Sequence, residues 1–255
     1  MVRAAGGCQN RGMSEPYALE HDPTGPDLPG EVVVRESPDQ VYDALCAEIY
    51  LHALECVRRF GDFHLAIGAG PFQERLCQRL MTDPAVRLLP WQRAHVWATC
   101  DQPGPRGVSS FMEIVDLLAD HAGIPDSRLH LPEGWGDEAV DEYESRLQHA
   151  LAWREKGHDR LDLAVLSLSP RGAFSGIAHP LPPESQARLV APLPGENTIT
   201  MTPRLLRGTR FIACGVVGRD FRHAVGAMIG NEAASTIRPV GGVLRWYLDR
   251  EACPA

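Results

Sequence analysis

The run Leu161-Asp162-Leu163-Ala164-Val165-Leu166, followed at once by Ser167-Leu168-Ser169-Pro170-Arg171-Gly172-Ala173, constrains this chain most. A short apolar run that ends in small, turn-forming residues predicts a strand buried on both faces, Leu161 to Leu166. Such a strand belongs in a parallel sheet with helices above and below it. Further strands are predicted at Glu31 to Glu36, His64 to Ile67, Ala94 to Ala98, Thr198 to Thr202, Arg210 to Val216 and Val243 to Leu248. Helices fall between them. In one, over Asp39 to Phe60, Val41, Leu45, Ile49, Ala53 and Val57 recur at fourfold spacing behind a Ser37 cap and Pro38. Others run from the Gly68-Ala69-Gly70 turn to about Leu80, over Val108 to His121, over Asp137 to about Glu155, and over about Phe221 to Met228. Alternating strands and helices define the α/β class, a mostly parallel sheet with helices on both faces. Ligands of such sheets sit outside the carboxyl ends of the strands, so the loop from Ser167 to Pro180 is where a site is expected. That loop holds Ser, Gly, Pro, Arg171 and His179, but no Asp, Glu, Cys or Lys.

The chain's 255 residues suffice for a substantial core, and its net charge of −8 argues against nucleic acid or anionic membrane as general partners. No apolar run approaches the roughly 20 residues that a membrane-spanning helix needs. Seven cysteines stand singly, without a C-x-x-C pair, which suits a reduced, cytoplasmic setting. The ten histidines form no H-x-x-x-H or H-E-x-x-H pair, so neither a metal nor a cofactor is expected. Residues 1 to 30, rich in Gly, Pro and charge, read as a disordered lead-in without a signal-peptide core, and Met13 offers a second start.

Four framework stretches carry a resemblance. They are Ala139 to Leu147 with Tyr143-Glu144, then Leu161-Asp162-Leu163, then Thr200-Met201-Thr202, and last Val243 to Asp249 followed by Ala252. In this order and spacing they resemble the 6-phosphogluconolactonase family, which belongs with the glucosamine-6-phosphate deaminases. The resemblance covers about 35 to 255 and implies a Rossmann-like sheet in one domain over 31 to 255. It also implies carbohydrate metabolism of the pentose phosphate type and a pocket for a sugar-derived anion.

The family's working motifs are replaced. Where its phosphate cradle reads Ser-Gly-Gly-Ser-Thr-Pro, this chain has Gly68-Ala69-Gly70-Pro71-Phe72-Gln73. Both hydroxyls are lost, an amide donor is lost at Pro71, and Phe72 adds bulk at the helix N-terminus where the anion would lie. Asp-Glu-Arg becomes Cys100-Asp101-Gln102, with Arg106 as the nearest substitute cation. Ser-Asn-Tyr becomes Ser109-Ser110-Phe111. Gly-x-Gly-x-Asp-Gly-His, which implies a histidine base, becomes Ser167-Leu168-Ser169-Pro170-Arg171-Gly172-Ala173. Alanine thus stands at the base and arginine at the acid, and losing a positioned base costs about 10²- to 10⁴-fold in rate. The lysine after Val-x-Gly becomes Phe221, with Arg219 and Arg222 alongside.

These replacements predict a family member that is catalytically impaired or inactive and that binds a ligand or a protein partner. One alternative is an active enzyme with a remodelled pocket, in which Arg171 orients an anion and Asp101 or His179 moves protons. Another is a scaffold whose site mouth is plugged by Phe72, Phe174 and Phe221. Cys100, at a strand end, is a minor candidate nucleophile. The expected pocket consists of Gly68, Gly70, Phe72, Cys100, Asp101, Ser169, Arg171, Gly172, Ala173, Arg219 and Arg222.

Overall fold

The computed structural model describes residues 25–104, 107–152, 160–174, 177, 182–193, 196–231 and 235–254. Seven strands form one parallel sheet: β1 (Glu31–Arg35), β2 (Phe63–Ile67), β3 (Ala94–Ala98), β5 (Leu129–His130), β6 (Leu163–Ser167), β9 (Phe211–Val216) and β10 (Val243–Asp249). They lie in the order β1-β10-β9-β6-β2-β3-β5. Three short strands, β4 (Cys100–Asp101), β7 (Val190–Pro192) and β8 (Ile199–Met201), make a separate antiparallel sheet in the order β4-β8-β7. The Thr198 to Thr202 strand therefore exists but is not part of the parallel sheet.

Alternation along each strand divides the core. Leu65, Ile67, Val96, Leu163, Val165 and Ala213 face the helices α1 (Pro38–Phe60), α2 (Pro71–Thr82) and α3 (Met112–Ala122). Their neighbours Ala66, Trp97, Ala164, Leu166, Ile212 and Cys214 face α4 (Asp137–Ala152), α5 (Pro203–Gly208), α6 (Arg222–Met228) and the small sheet. Helices therefore cover both faces of the parallel sheet. Ser37 caps α1, its hydroxyl accepting from the Gln40 amide at 3.4 Å.

The framework motifs are hydrogen-bond anchors between distant segments. Asp162, fully buried, accepts from the His64 amide at 2.8 Å and pairs with Arg210 at 3.2 Å, which joins β6 to β2 and β9. Tyr143 donates to the Ala98 carbonyl at 2.8 Å, and Glu144 holds Arg188 and the Leu189 amide. Thr202 donates to the Arg188 carbonyl at 2.7 Å and caps α5. Asp249 accepts from the Gly218 and Ala252 amides at 3.0 and 2.9 Å.

Two expectations change at the ends of elements. The packed chain begins before Glu31, because Leu28 is buried and the Trp246 indole donates to the Pro29 carbonyl at 2.9 Å. Residues 25–30 are thus part of the body and not of a disordered lead-in. The third helix starts at Met112 and not Val108, because Ser109 and Ser110 are tied to Asp101 at 2.6 and 3.0 Å.

Candidate functional site

Strands β2, β3 and β5 run outward in one direction and β6, β9 and β10 in the other, so the order reverses between β2 and β6. At such a switch point the two following loops part and leave a crevice outside the strand ends. Here the loops are Gly68-Ala69-Gly70 and Ser167-Leu168-Ser169. Two adjoining cavities open there, and both are lined by Ala69 and Gly70.

The first, of about 490 Å³, is bounded by Gly68 to Gly70 and Glu74 on one side. Cys100, Gln102, Ser110 and Glu113 bound it on a second, and Phe174, Ile177, Leu193, Glu196 and Thr198 close the rest. The second, of about 600 Å³, is lined by Tyr42, the Ala69–Gln73 turn, Arg75, Ser167 to Pro170, Gly215 to Val217 and Phe221. Gly70 takes φ +127° at the start of α2, a conformation that favours glycine. Buried Gln73 then donates to the Ser167 hydroxyl at 2.9 Å, binding the two loops to each other.

Phe72 crosses to β9. A Cβ on Gly215 would lie 2.0 Å from the Phe72 ring, so the missing side chain is what admits the ring. The ring also packs at 5.1 Å on Tyr42. Phe72 and Phe221 line an open cavity and do not plug it, whereas Phe174 turns onto Trp246 at 5.8 Å.

Several expected pocket residues lie elsewhere. Asp101 is fully buried and accepts from the Gln102 and Phe111 amides and the Ser109 and Ser110 hydroxyls, so it organises a loop and faces neither cavity. Arg171, Gly172 and Ala173 form a tight turn closed by the Ser169 amide donating to the Ala173 carbonyl at 2.8 Å. Arg171 and Ala173 are exposed, and none of the three lines either cavity. Arg219 and Arg222 border a shallow depression outside α6, where Arg222 donates to the Glu251 carbonyl at 3.2 Å. Arg171 and Asp101 therefore do not converge. His179 and Arg106 lie outside the described residues. Gly68, Gly70, Phe72, Cys100 and Ser169 do line the cavities. Cys100 is no nucleophile as it stands, because burial and the charges of Asp101 and Glu196 push its thiol up to about 12.

The sequence reading missed Glu74, Glu113, Glu196, Tyr42 and Gln73. Glu74 and Glu113 lie in the first turns of α2 and α3, where the helix dipole favours acids, and only the chain's path brings them together. Burial, then the charge and hydrogen bond of Glu113, raise the Glu74 carboxyl above its ordinary value.

At the opposite strand ends, Asp62, His64 and His95 have ligand atoms within 4.8 Å of one another, the one group of this kind among the described residues. The Trp97 indole, which can only donate, gives a hydrogen bond to His64 Nδ1 at 3.1 Å. The neutral ring then carries its proton on Nε2, which faces Asp62 at 3.5 Å. It offers an N–H there and no lone pair, the reverse of what a metal-bound histidine needs. These residues do not fit a cation.

Among the described residues no helix is long and apolar enough to cross a membrane. Solved structures of similar fold include 6-phosphogluconolactonase from Trypanosoma cruzi, with TM-score 0.72, 17% identity, and coverage of 89% of this chain and 97% of that one. The enzyme of the same name from Thermotoga maritima gives TM-score 0.68 and 19% identity, over 86% of this chain and 99% of that one. The GDH/6PGL endoplasmic bifunctional protein of Homo sapiens is 24% identical over 94% of this chain, which spans only 34% of that protein's length. The family model described as glucosamine-6-phosphate isomerases/6-phosphogluconolactonase matches residues 36–247. With that match over most of its length, and with its sheet and switch-point crevice, the chain belongs to the glucosamine-6-phosphate isomerase/6-phosphogluconolactonase family.

Proposed function

We propose that this family member binds a sugar-derived ligand at the β2/β6 crevice without hydrolysing 6-phosphogluconolactone. The position of Ala173 carries the reading: it stands where the family places its base, and it is exposed and lines neither cavity, although Ser169, Pro170 and Phe174 beside it do. Two further losses support it. The phosphate cradle is replaced by Pro71 and Phe72, and the only guanidinium lining either cavity among the described residues, Arg75, is engaged by Asp39 at 3.1 Å. General-base catalysis needs a group within reach of the attacking water, and no histidine or lysine lines the cavities among the described residues. The six cysteines among the described residues are free, four of them buried, which suits the cytoplasm.

The test is 6-phosphogluconolactone hydrolysis by purified protein against the spontaneous rate. No acceleration is expected from the natural chain or from Ala173→His, since Ala173 is exposed and lines neither cavity. Turnover by the natural chain sinks the reading. A second reading, an active hydrolase or isomerase on a different sugar-derived substrate, is favoured by the first cavity, which stays open and contains ionisable acids. It predicts turnover of a lactone or ester that lacks phosphate, abolished by Glu74→Gln.

A further inference from the structure

The second cavity is built for something other than a phosphate. Its walls are largely hydrocarbon, from Tyr42, Phe72, Leu168, Val216, Val217 and Phe221. Its volume, about 600 Å³, is that of a small-molecule site, which is typically ~300 to 1,000 Å³. The aromatic wall is fixed in place, because Phe72 fills the vacancy at Gly215 and packs at 5.1 Å on Tyr42. Arg75 is the one charged residue in the lining among the described residues. It pairs with Asp39 at 3.1 Å and lies 5.5 Å over the Tyr42 ring. A neutral polar pair interrupts the hydrocarbon. Gln73, 3% exposed, donates from its amide nitrogen to the hydroxyl of Ser167, 8% exposed, at 2.9 Å. Among the described residues the Ser167 proton then has no acceptor and Gln73 Oε1 accepts nothing. Both residues line the cavity, so both groups can be reached from it. The pair also stands where the cavities join. Gln73 Oε1 lies 3.5 Å from the empty side-chain position of Gly70, which lines both cavities, and Nε2 lies 3.8 Å from that of Gly68, which lines the first. One unused donor and one unused acceptor, both uncharged, match a hydroxyl or ether oxygen and not a dianion. Water held against the remaining walls finds few partners and is readily displaced by an apolar group.

We propose that the second cavity is a subsite for the aromatic aglycone of a neutral, phosphate-free glycoside. The aryl group lies against Tyr42, Phe72 and Phe221, the linking oxygen meets the Gln73–Ser167 pair, and the sugar extends past the Ala69-Gly70 turn into the first cavity. Three rings in the lining favour a flat aromatic partner over an alkyl chain, because ring–ring contacts add to the gain from burial. This ligand class rests on the reading that the crevice binds a sugar-derived compound without lactonase chemistry.

Calorimetric titration of the full chain at neutral pH tests it, with 2-naphthyl, n-hexyl and methyl β-D-glucopyranoside, 2-naphthol and 6-phosphogluconate as probes. The naphthyl glucoside is expected to bind about tenfold or more tighter than the methyl glucoside, and tighter than the hexyl glucoside and 6-phosphogluconate. Val217→Trp, which fills the cavity from a partly exposed position, should abolish that advantage, and Phe72→Leu, which removes one ring, should reduce it. Urea midpoints of both variants verify that they fold. Ser167→Ala should weaken the naphthyl glucoside several-fold. Equal affinity for the naphthyl and methyl glucosides, hexyl binding as tight as naphthyl, preference for 6-phosphogluconate, naphthyl binding untouched by both cavity variants, or no binding of any compound overturns the proposal. 2-Naphthol separates the two readings. If it binds as tightly as its glucoside and is lost in Val217→Trp, the aryl subsite stands and only the sugar reading falls.

Discussion

Replacing Asp101 with alanine separates a proton-handling acid from a structural one. The Asp101 carboxylate, fully buried, accepts from the Gln102 amide at 2.9 Å, the Phe111 amide at 3.2 Å, and the Ser110 and Ser109 hydroxyls at 3.0 and 2.6 Å. Hydrogen bonds to a charged acceptor contribute about 1.5 to 3 kcal/mol each. Not all four are lost outright, because both serines are partly exposed and can turn to water. Each amide also has a fallback, Gln102 to the Ser110 oxygen at 3.4 Å and Phe111 to the Ser109 oxygen at 3.1 Å. The net loss is therefore close to two charge-assisted bonds at the lower value, about 3 kcal/mol. For a chain of this size that lowers the melting temperature by roughly 6 to 12 °C. Asp101→Asn keeps one oxygen for the amides, and its NH₂ can donate to Ser109, so about 1 kcal/mol is expected. Urea unfolding followed by circular dichroism reads both, with an unchanged slope. If Asp101→Ala unfolds within about 0.5 kcal/mol of the parent, the loop-organising role assigned here is wrong.

Other perturbations probe different parts of the fold. Burial, then the neighbouring charges of His95 and His64, lower His130 to about 3, so it stays neutral in the folded chain while the unfolded ring titrates near 6.5. The unfolded state then binds more protons between those values, and stability should fall by about 2 kcal/mol from pH 7 to pH 5. His130→Gln should remove most of that slope in urea titrations at the two pH values. Gly215→Ala sets a methyl in the space of the Phe72 ring and should cost about 1 to 3 kcal/mol. Pairing it with Phe72→Ala should recover part of the loss, as a double-mutant cycle in urea will read. With its thiol near 12, Cys100 should alkylate at pH 8 at least tenfold more slowly in the folded than in the unfolded protein, scored by peptide mass spectrometry.

The middle of the sheet was legible because β2, β6 and β9 are short, largely apolar runs with every residue buried. Alternation between two helical layers left Leu65 and Ala66, or Val165 and Leu166, no other place. The two-residue strands β4 and β5 and the three-residue β7 escaped notice, whereas β8 was found within Thr198 to Thr202. Cys100-Asp101 and Leu129-His130 gain their order from partners, Ile199-Thr200 and Val96-Trp97, that lie far along the chain. The site was half legible. Gly68, Gly70, Phe72, Cys100 and Ser169 follow the strands whose ends define the crevice, so finding those strands located them. Arg171, Arg219 and Arg222 were misjudged because position along a loop says nothing of which way the turn faces. The Ser169–Ala173 bond closes the loop early and turns Arg171 to solvent.

Asp162 and Asp101 were both recognised by their positions in family motifs, and both proved to be buried acceptors of backbone amides. Their chemistry is tied to chain crossings: Asp162 joins three strands, and Asp101 fixes the entry to α3. Removing such an acceptor leaves buried donors unsatisfied, so these positions are set by the fold whatever the site binds. The residues facing the crevice answer to no such requirement. Phe72 needs only the vacancy at Gly215, and Glu74 needs only a helix first turn that tolerates an acid. A sheet held by Asp162, Tyr143, Thr202 and Asp249 can therefore carry quite different residues along its crevice with its strand order intact.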